Sequence, residues 1–303
     1  MQGDSLQNFL DQNTDEKLAD LLQIIANLSK EIAHLIQTGG VGYAETENDF
    51  GENQLALDVQ ADQLIAKVLG ESGLVSYLTS EESVQPTKFK KGDLIVAYDP
   101  LDGSSLVDAN LAFGSIFGIW TGKEIIGQTG RDLVASCFVV YGPRLTLVLG
   151  LPVGTFEFTL NTDYEYELTQ EKIILEKNKK YFAPGGVHSL IPRSKYDNLV
   201  RFWLKNHYIL RYSGGLVPDL NHILAKRGGV FAYPEVEGYP EGKLRLTFEC
   251  LPMAYIITQA GGKAGDGRGN LILDQKIIDL GARSPLVLGS SEEVVRAENL
   301  LLL

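Results

Sequence analysis

The sequence predicts a layered α/β protein, and three features of the chain carry that prediction. Helix-period and strand-period segments are interleaved throughout, with no internal repeat and no low-complexity linker. Two apolar strands, residues 74–79 and 94–98, run into the acids Glu81-Glu82 and Asp99. Strand ends are where sheet-based enzymes hold ligands. Two later helices, residues 218–227 and 252–260, start on proline and are closed by Gly-Gly pairs, because proline suits a first helical turn and glycine an ending.

Residues 13–38 read as one long amphipathic helix. Leu18, Leu21, Ile25, Leu28, Ile32 and Leu35 recur at helical spacing, Asn13 with Glu16 resembles a capping box, and Gly39-Gly40 ends the run. Residues 54–69 form a second helix with Leu57, Ala61, Leu64 and Val68 on one face. Asp58 and Asp62 stand four apart there and share a side. Residues 112–120 and 136–141 continue the β pattern, followed by Leu145–Leu151. Residues 164–180 read as a charged connection that divides the chain into halves, 1–165 and 166–303.

Composition narrows the function. The chain has 303 residues, 44% hydrophobic and 22% charged, ordinary for a globular protein of this length. A net charge of −12 argues against nucleic acid, since phosphate-backbone binding needs a basic face. An acidic protein that handles anionic substrates needs local cations, from bound metal or placed Arg and Lys. The two cysteines, Cys137 and Cys250, make a disulfide framework improbable and favour a reducing compartment. Apolar runs are too short to span a bilayer, and neither a signal nor a transit segment opens the chain. The expectation is a cytoplasmic protein, with the plastid stroma as alternative had a transit peptide been removed.

The sharpest chemical signal is Asp99-Pro100-Leu101-Asp102-Gly103-Ser104-Ser105. Two acids follow an apolar strand, Pro100 forces a turn, and Gly103 permits close backbone approach. Gly103, Ser104 and Ser105 offer successive N–H groups and two hydroxyls, suited to a phosphate. Hard oxygen ligands around a turn suit Mg²⁺. Glu81-Glu82 is a weaker signal, since adjacent acids in isolation usually mean a solvated loop, and Glu249, just before a helix, has an adequate account in the helix dipole. These acids gain weight together, because carboxylates collected in a desolvated cleft repel one another unless metal is present. No Cys/His set has zinc spacing, and the four histidines are scattered. Arg211, Lys243 and Arg245 are candidates for a second phosphate, although each reads equally as a surface charge.

These residues carry a family resemblance. Residues 99–108 and Gly114-Ser-Ile-Phe-Gly118 resemble the fructose-1,6-bisphosphatase superfamily. The likeness continues through Ser80-Glu-Glu82, residues 211–219, residues 242–249 and residues 283–289, in order over nearly all the chain beyond Gly51. Residues 129–136, 140–144 and 208–219 are similar to the sedoheptulose-1,7-bisphosphatase branch. The resemblance implies an αβαβα sugar-phosphatase sandwich, assembled as a homodimer or homotetramer. Its first half would bind metal and phosphate and its second half the sugar.

The activity it implies is hydrolysis of the C1 phosphate of sedoheptulose 1,7-bisphosphate, dependent on two or three Mg²⁺ ions, with Mn²⁺ as a substitute. The alternative is a fructose-1,6-bisphosphatase or an enzyme of both sugars, and a third reading is an inactive sugar-phosphate-binding regulator. The resemblance assigns metal ligation to Glu81, Asp99, Asp102, Glu249 and the Leu101 carbonyl. Glu82, Asp58 and Glu52 match acids of the catalytic step and of the loop that closes over the metals. Gly103, Ser104 and Ser105 match the hold on the cleaved phosphate. Tyr212, Tyr233, Lys243 and Arg245 match contacts to the sugar and distal phosphate, and Arg211 an arginine that reaches a neighbouring subunit's cleft. Three positions depart from the pattern: Glu52 replaces an Asp, Gly186 replaces an Asn that contacts the distal phosphate, and Tyr233-Pro234 follows the fructose enzymes. Val41 and Thr46 stand where chloroplast sedoheptulose enzymes carry a cysteine pair.

Overall fold

The computed structural model describes residues 3–38, 43–47, 53–192 and 194–302. Val41, Gly51 and the candidate acid Glu52 lie outside the described residues. The apolar repeat from Leu18 to Leu35 lies, as expected, on one long helix, α2 (Glu16–Thr38), and a separate short helix, α1 (Leu6–Asn13), precedes it. The chain turns extended at Thr14, and Asn13 closes α1 with its Nδ2 donating to the Phe9 carbonyl. Asp15, not Asn13, caps α2, its Oδ1 accepting from the Leu18 N–H at 3.1 Å. Next, β1 (Tyr43–Glu47) and β2 (Asn53–Leu55) pair as an antiparallel ribbon ahead of α3 (Ala56–Glu71).

The first sheet has eight strands: β3 (Val75–Ser80), β4 (Ser83–Lys88), β5 (Leu94–Asp102), β6 (Phe113–Thr121), β7 (Leu133–Tyr141), β8 (Leu145–Leu151), β9 (Gly154–Leu160) and β10 (Tyr166–Ile173). Their order is β10-β9-β8-β7-β6-β5-β3-β4, antiparallel throughout except for β3 beside β5. β10 corrects the sequence reading, since its charged residues suggested a connection. It is an edge strand in which only Tyr166 and Ile173 are buried, and charge on an edge strand blocks pairing with another chain. A strand so composed resembles a loop.

The second sheet runs β12-β11-β13-β17-β15, from β11 (Tyr181–Pro184), β12 (Ile209–Leu210), β13 (Val230–Tyr233), β15 (Lys263–Gly265) and β17 (Leu286–Gly289). A short ribbon of β14 (Leu244–Arg245) and β16 (Arg283–Ser284) stands beside it. The remaining helices are α4 (Lys195–Lys205), α5 (Leu216–Ala225), α6 (Leu251–Gln259) and α7 (Ser291–Leu302).

Strand alternation sorts these elements into five layers, helix–sheet–helix–sheet–helix. On β5, Val96 and Tyr98 face α1–α3, burying Ile25 and Ile65 with Phe117 and Leu149. Ile95 and Ala97 face the other way, onto α5 and α6, where Leu220, Met253 and Ile256 fill the space before Phe231 and Leu288 of the second sheet. α4 and α7 cover the outer face, Trp203 and Val294 packing on Phe182 and Val287. β5 is buried along its whole length, which is why its sequence is a continuous apolar run. The expected αβαβα sandwich is the fold observed.

Candidate active site

The site forms where β5 loses its regularity. Residues three apart on a regular strand face opposite sides of the sheet, so Asp99 and Asp102 would be separated by it. Instead the register against β6 slips: Asp99 pairs with Ile116 and Asp102 with Gly114, leaving an extra residue on β5. Pro100, which cannot donate to the ladder, lies inside this bulge, and the Leu101 N–H turns back to Asp99 Oδ1 at 3.0 Å. Both carboxylates thereby reach one side, where ligand atoms of Asp99, Asp102 and Glu249 lie within 4.8 Å of one another.

Gly103 then adopts φ +79°, and a 3₁₀ turn begins at Ser104. A Cβ at Gly103 would stand 3.2 Å from the Gly215 Cα, so this turn meets the start of α5 backbone to backbone. The first N–H groups of such a turn have no partner inside it and point out together. Gly215 offers α5 no side-chain cap. Asp102 supplies one from the sheet: its Oδ2 accepts the Val217 N–H at 2.6 Å and its Oδ1 the Leu216 N–H at 3.3 Å.

Glu249 sits in a widened π turn, residues 246–250, that feeds α6, and its Oε2 accepts the Arg245 N–H at 2.6 Å. Glu81 and Glu82 occupy the β3–β4 turn. Glu81 Oε1 accepts from Arg245 Nε at 2.9 Å, and Arg245 is almost completely buried (1% exposed). Arg245 is therefore buried against Glu81 and is not among the residues that line the cleft into which the acids open.

The electrostatics are unfavourable for bare acids. Burial and then the Glu81 charge hold the Asp99 and Glu249 carboxyls well above the usual carboxylate range. Burial pushes Asp102 up to about 7, although the Val217 and Leu216 N–H groups pull it down. A buried set of hard oxygen donors that repel one another fits a divalent cation such as Mg²⁺ or Mn²⁺.

These acids open into a cleft of about 430 Å³. Asp58, Glu82, Leu101, Ser104 and Ser105 line it on the metal side, and Tyr212, Tyr233 and Lys243 line it further out. Arg211 does not join them; its guanidinium donates to the Leu210 carbonyl and lies over the Tyr181 ring. The ring of Tyr233 packs on Gly185 and Gly186, where a Cβ at Gly186 would come within 2.5 Å of it. The ring fills the space that an Asn at this position would use.

Sequence reasoning gave no role to three polar side chains of the lining, Asp219, Tyr239 and Arg283. Asp219 is buried, accepts the Ser213 N–H at 2.8 Å, and is pushed up to about 6 by burial. Its position early in α5 reads as ordinary helix capping. Tyr239 lies between Gly238 and Pro240, a pattern that signals only a turn.

Fold and site together define a sugar-bisphosphate phosphatase. The chain belongs to the fructose-1,6-bisphosphatase family: the family's N-terminal domain matches residues 5–171 and its C-terminal domain residues 175–302. Members of this family depend on divalent metal, which agrees with the donor set. A fructose-1,6-bisphosphatase class 1 of Pelobacter propionicus is 43% identical over 305 residues, covering 98% of this chain and 92% of its own. The chloroplastic sedoheptulose-1,7-bisphosphatase of Spinacia oleracea is 37% identical over 305 residues, covering 99% and 78%. Among solved structures, Leishmania major fructose-1,6-bisphosphatase superposes with a TM-score of 0.92 at 31% identity, covering 99% of each chain.

Proposed function

We propose that the chain hydrolyses the C1 phosphate of fructose 1,6-bisphosphate, which reverses the sedoheptulose preference expected from its motifs. The observation that carries this reading is the buried Asp99–Asp102–Glu249 cluster beside the Gly103-Ser104-Ser105 turn, at the mouth of a cleft with Lys243 and three tyrosines. The greater likeness to bacterial class 1 fructose enzymes supports the choice of sugar.

Glu81, Asp99, Asp102, Glu249 and the Leu101 carbonyl would hold the metal. Mg²⁺ held there would offset charge on the transferring phosphoryl group and ease loss of a proton from the attacking water. The protein's own groups do the rest. Backbone N–H groups and hydroxyls of Ser104 and Ser105 hold the scissile phosphate in line. Glu82 and Asp58 orient the attacking water and take its proton, and Tyr212, Tyr233 and Lys243 bind the sugar and its distal phosphate. Arg245 holds Glu81 in position. Arg211, which is exposed and outside this cleft, would serve a neighbour's cleft in a homodimer or homotetramer. The bacterial relatives support a cytoplasmic enzyme.

A second reading, hydrolysis of sedoheptulose 1,7-bisphosphate, draws support from the likeness to the spinach enzyme across 99% of this chain. The test is phosphate release from both bisphosphates, with Mg²⁺ and with excess chelator, reported as kcat/KM side by side. The expected result is metal-dependent turnover with the larger kcat/KM on the fructose substrate. A larger value on sedoheptulose would reverse the preference, and undiminished turnover in chelator would refute the metal role.

A further inference from the structure

Tyr239 lines the cleft with Tyr212, Tyr233 and Lys243, and the chemistry above makes no use of it. The three phenols stand close: burial first, then Tyr212 and Tyr239, push the Tyr233 hydroxyl up to about 12, so it remains a hydrogen-bond donor at neutral pH. Tyr239 ends a tight turn, Val236-Glu237-Gly238-Tyr239, closed by its N–H to the Val236 carbonyl at 2.9 Å. Gly238 has φ +86°, as such a turn requires.

Val236 of this turn packs on the core, while Pro234, Val236 and Pro240 also border a separate hollow of about 720 Å³. One side chain ties both of its limbs. Arg268 Nη2 donates to Glu235 Oε2 at 2.9 Å on the first limb and to the Pro240 carbonyl at 2.6 Å on the second, while Nη1 donates to Glu241 Oε2 at 3.3 Å. The planar guanidinium spreads these donors as a lysine cannot. Arg268 is itself fixed, because its N–H and that of Asn270 both donate to the buried Asp266 carboxylate, at 2.7 and 3.0 Å.

We propose that Tyr239 is a specificity-determining contact to the sugar's phosphate-distal end, and that Arg268 is the positioning residue that holds it there. The inference rests on the reading of this cleft as a sugar-bisphosphate site. A seven-carbon sugar carries its second phosphate one carbon further out than a six-carbon sugar, so a phenol at that end weighs on the choice between them.

The experiment compares wild type, Tyr239→Phe, Arg268→Ala and the double variant. Substrates are fructose 1,6-bisphosphate, sedoheptulose 1,7-bisphosphate and p-nitrophenyl phosphate, which has no distal end. Loss of one phenol hydrogen bond to a charged group should raise KM about tenfold on the preferred bisphosphate. Loss of the part-exposed Arg268 links should raise it about fivefold, with a smaller change in kcat. The ratio of kcat/KM between the two sugars should shift, and the small ester should be affected least. Because Arg268 acts through the turn, the double variant should be no worse than Tyr239→Phe alone. Equal losses on all three substrates, multiplying effects in the double variant, or an unchanged KM would overturn the inference alone. Wild-type protein that turns over neither bisphosphate would overturn the functional reading, and this inference with it.

Discussion

Asp102 caps α5 and belongs to the acid cluster at once, so its substitution separates chemistry from fold. In Asp102→Asn the amide oxygen keeps one N–H of α5, while the amide nitrogen faces the other. That costs about 1 kcal/mol of capping, and removing a charge from beside Asp99 and Glu249 offsets it. The metal-free melting temperature should therefore shift little. Turnover should fall about 10³-fold or more, because a ligand charge is gone, and the rise in Tm on adding Mg²⁺ should shrink. Turnover within tenfold of wild type would remove Asp102 from the metal site. The acids at this scale were legible in sequence because each ends an apolar strand or opens a helix. Asp219 was not, since an acid early in a helix has a sufficient reason in the dipole. The Arg245–Glu81 pair was not legible either, as no spacing rule links positions 164 apart.

That distant pair joins two elements, the β3–β4 turn and the end of β14, just before the π turn that feeds α6. Arg245 is buried and Glu81 mostly so, and breaking such a pair by removing one partner is costly even where the intact pair adds little net stability. Arg245→Met keeps most of the side-chain volume and deletes the charge. The metal-free variant should lose about 3 kcal/mol in urea unfolding, and Mg²⁺ should restore part of the loss by replacing the missing cation. Unchanged stability without metal would show that the acids do not depend on Arg245. Elements were legible where periodicity was strong and both faces of a strand were buried, as in β5 and β8. They were obscured where a local rule pointed elsewhere. The charge of edge strand β10 suggested a loop, the Asn13–Glu16 pair suggested one cap where a helix break stands, and no pattern of period 2 or 3.6 marks a π turn.

The whole molecule keeps its two cysteines apart, and this bears on regulation. Cys137 lies in the core between the large sheet and α1–α3, whereas Cys250 lies in the core between the two sheets. The eight-stranded sheet stands between those cores, so the thiols can form no disulfide while the fold is intact. Neither thiol is reactive where it sits. Burial pushes Cys137 up to about 12, and burial followed by the Glu249 charge raises Cys250 well above the usual thiol range. Thiol–disulfide exchange proceeds through the thiolate, and at pH 8 a thiol with a pKa near 12 is ionised to only about one part in ten thousand. Val41 and Thr46, the positions that the resemblance compares with a cysteine pair, offer no sulfur. Activity should accordingly stay constant after equilibration in reduced or oxidised dithiothreitol. A thiol-reactive chromophore should label neither cysteine in the native protein and both, Cys137 and Cys250, after denaturation. Reversible activation of several-fold by reductant, lost in Cys137→Ser or Cys250→Ser, would mean that the fold opens enough for its two cores to exchange thiols. The layered architecture would then be far less rigid than its buried strands imply.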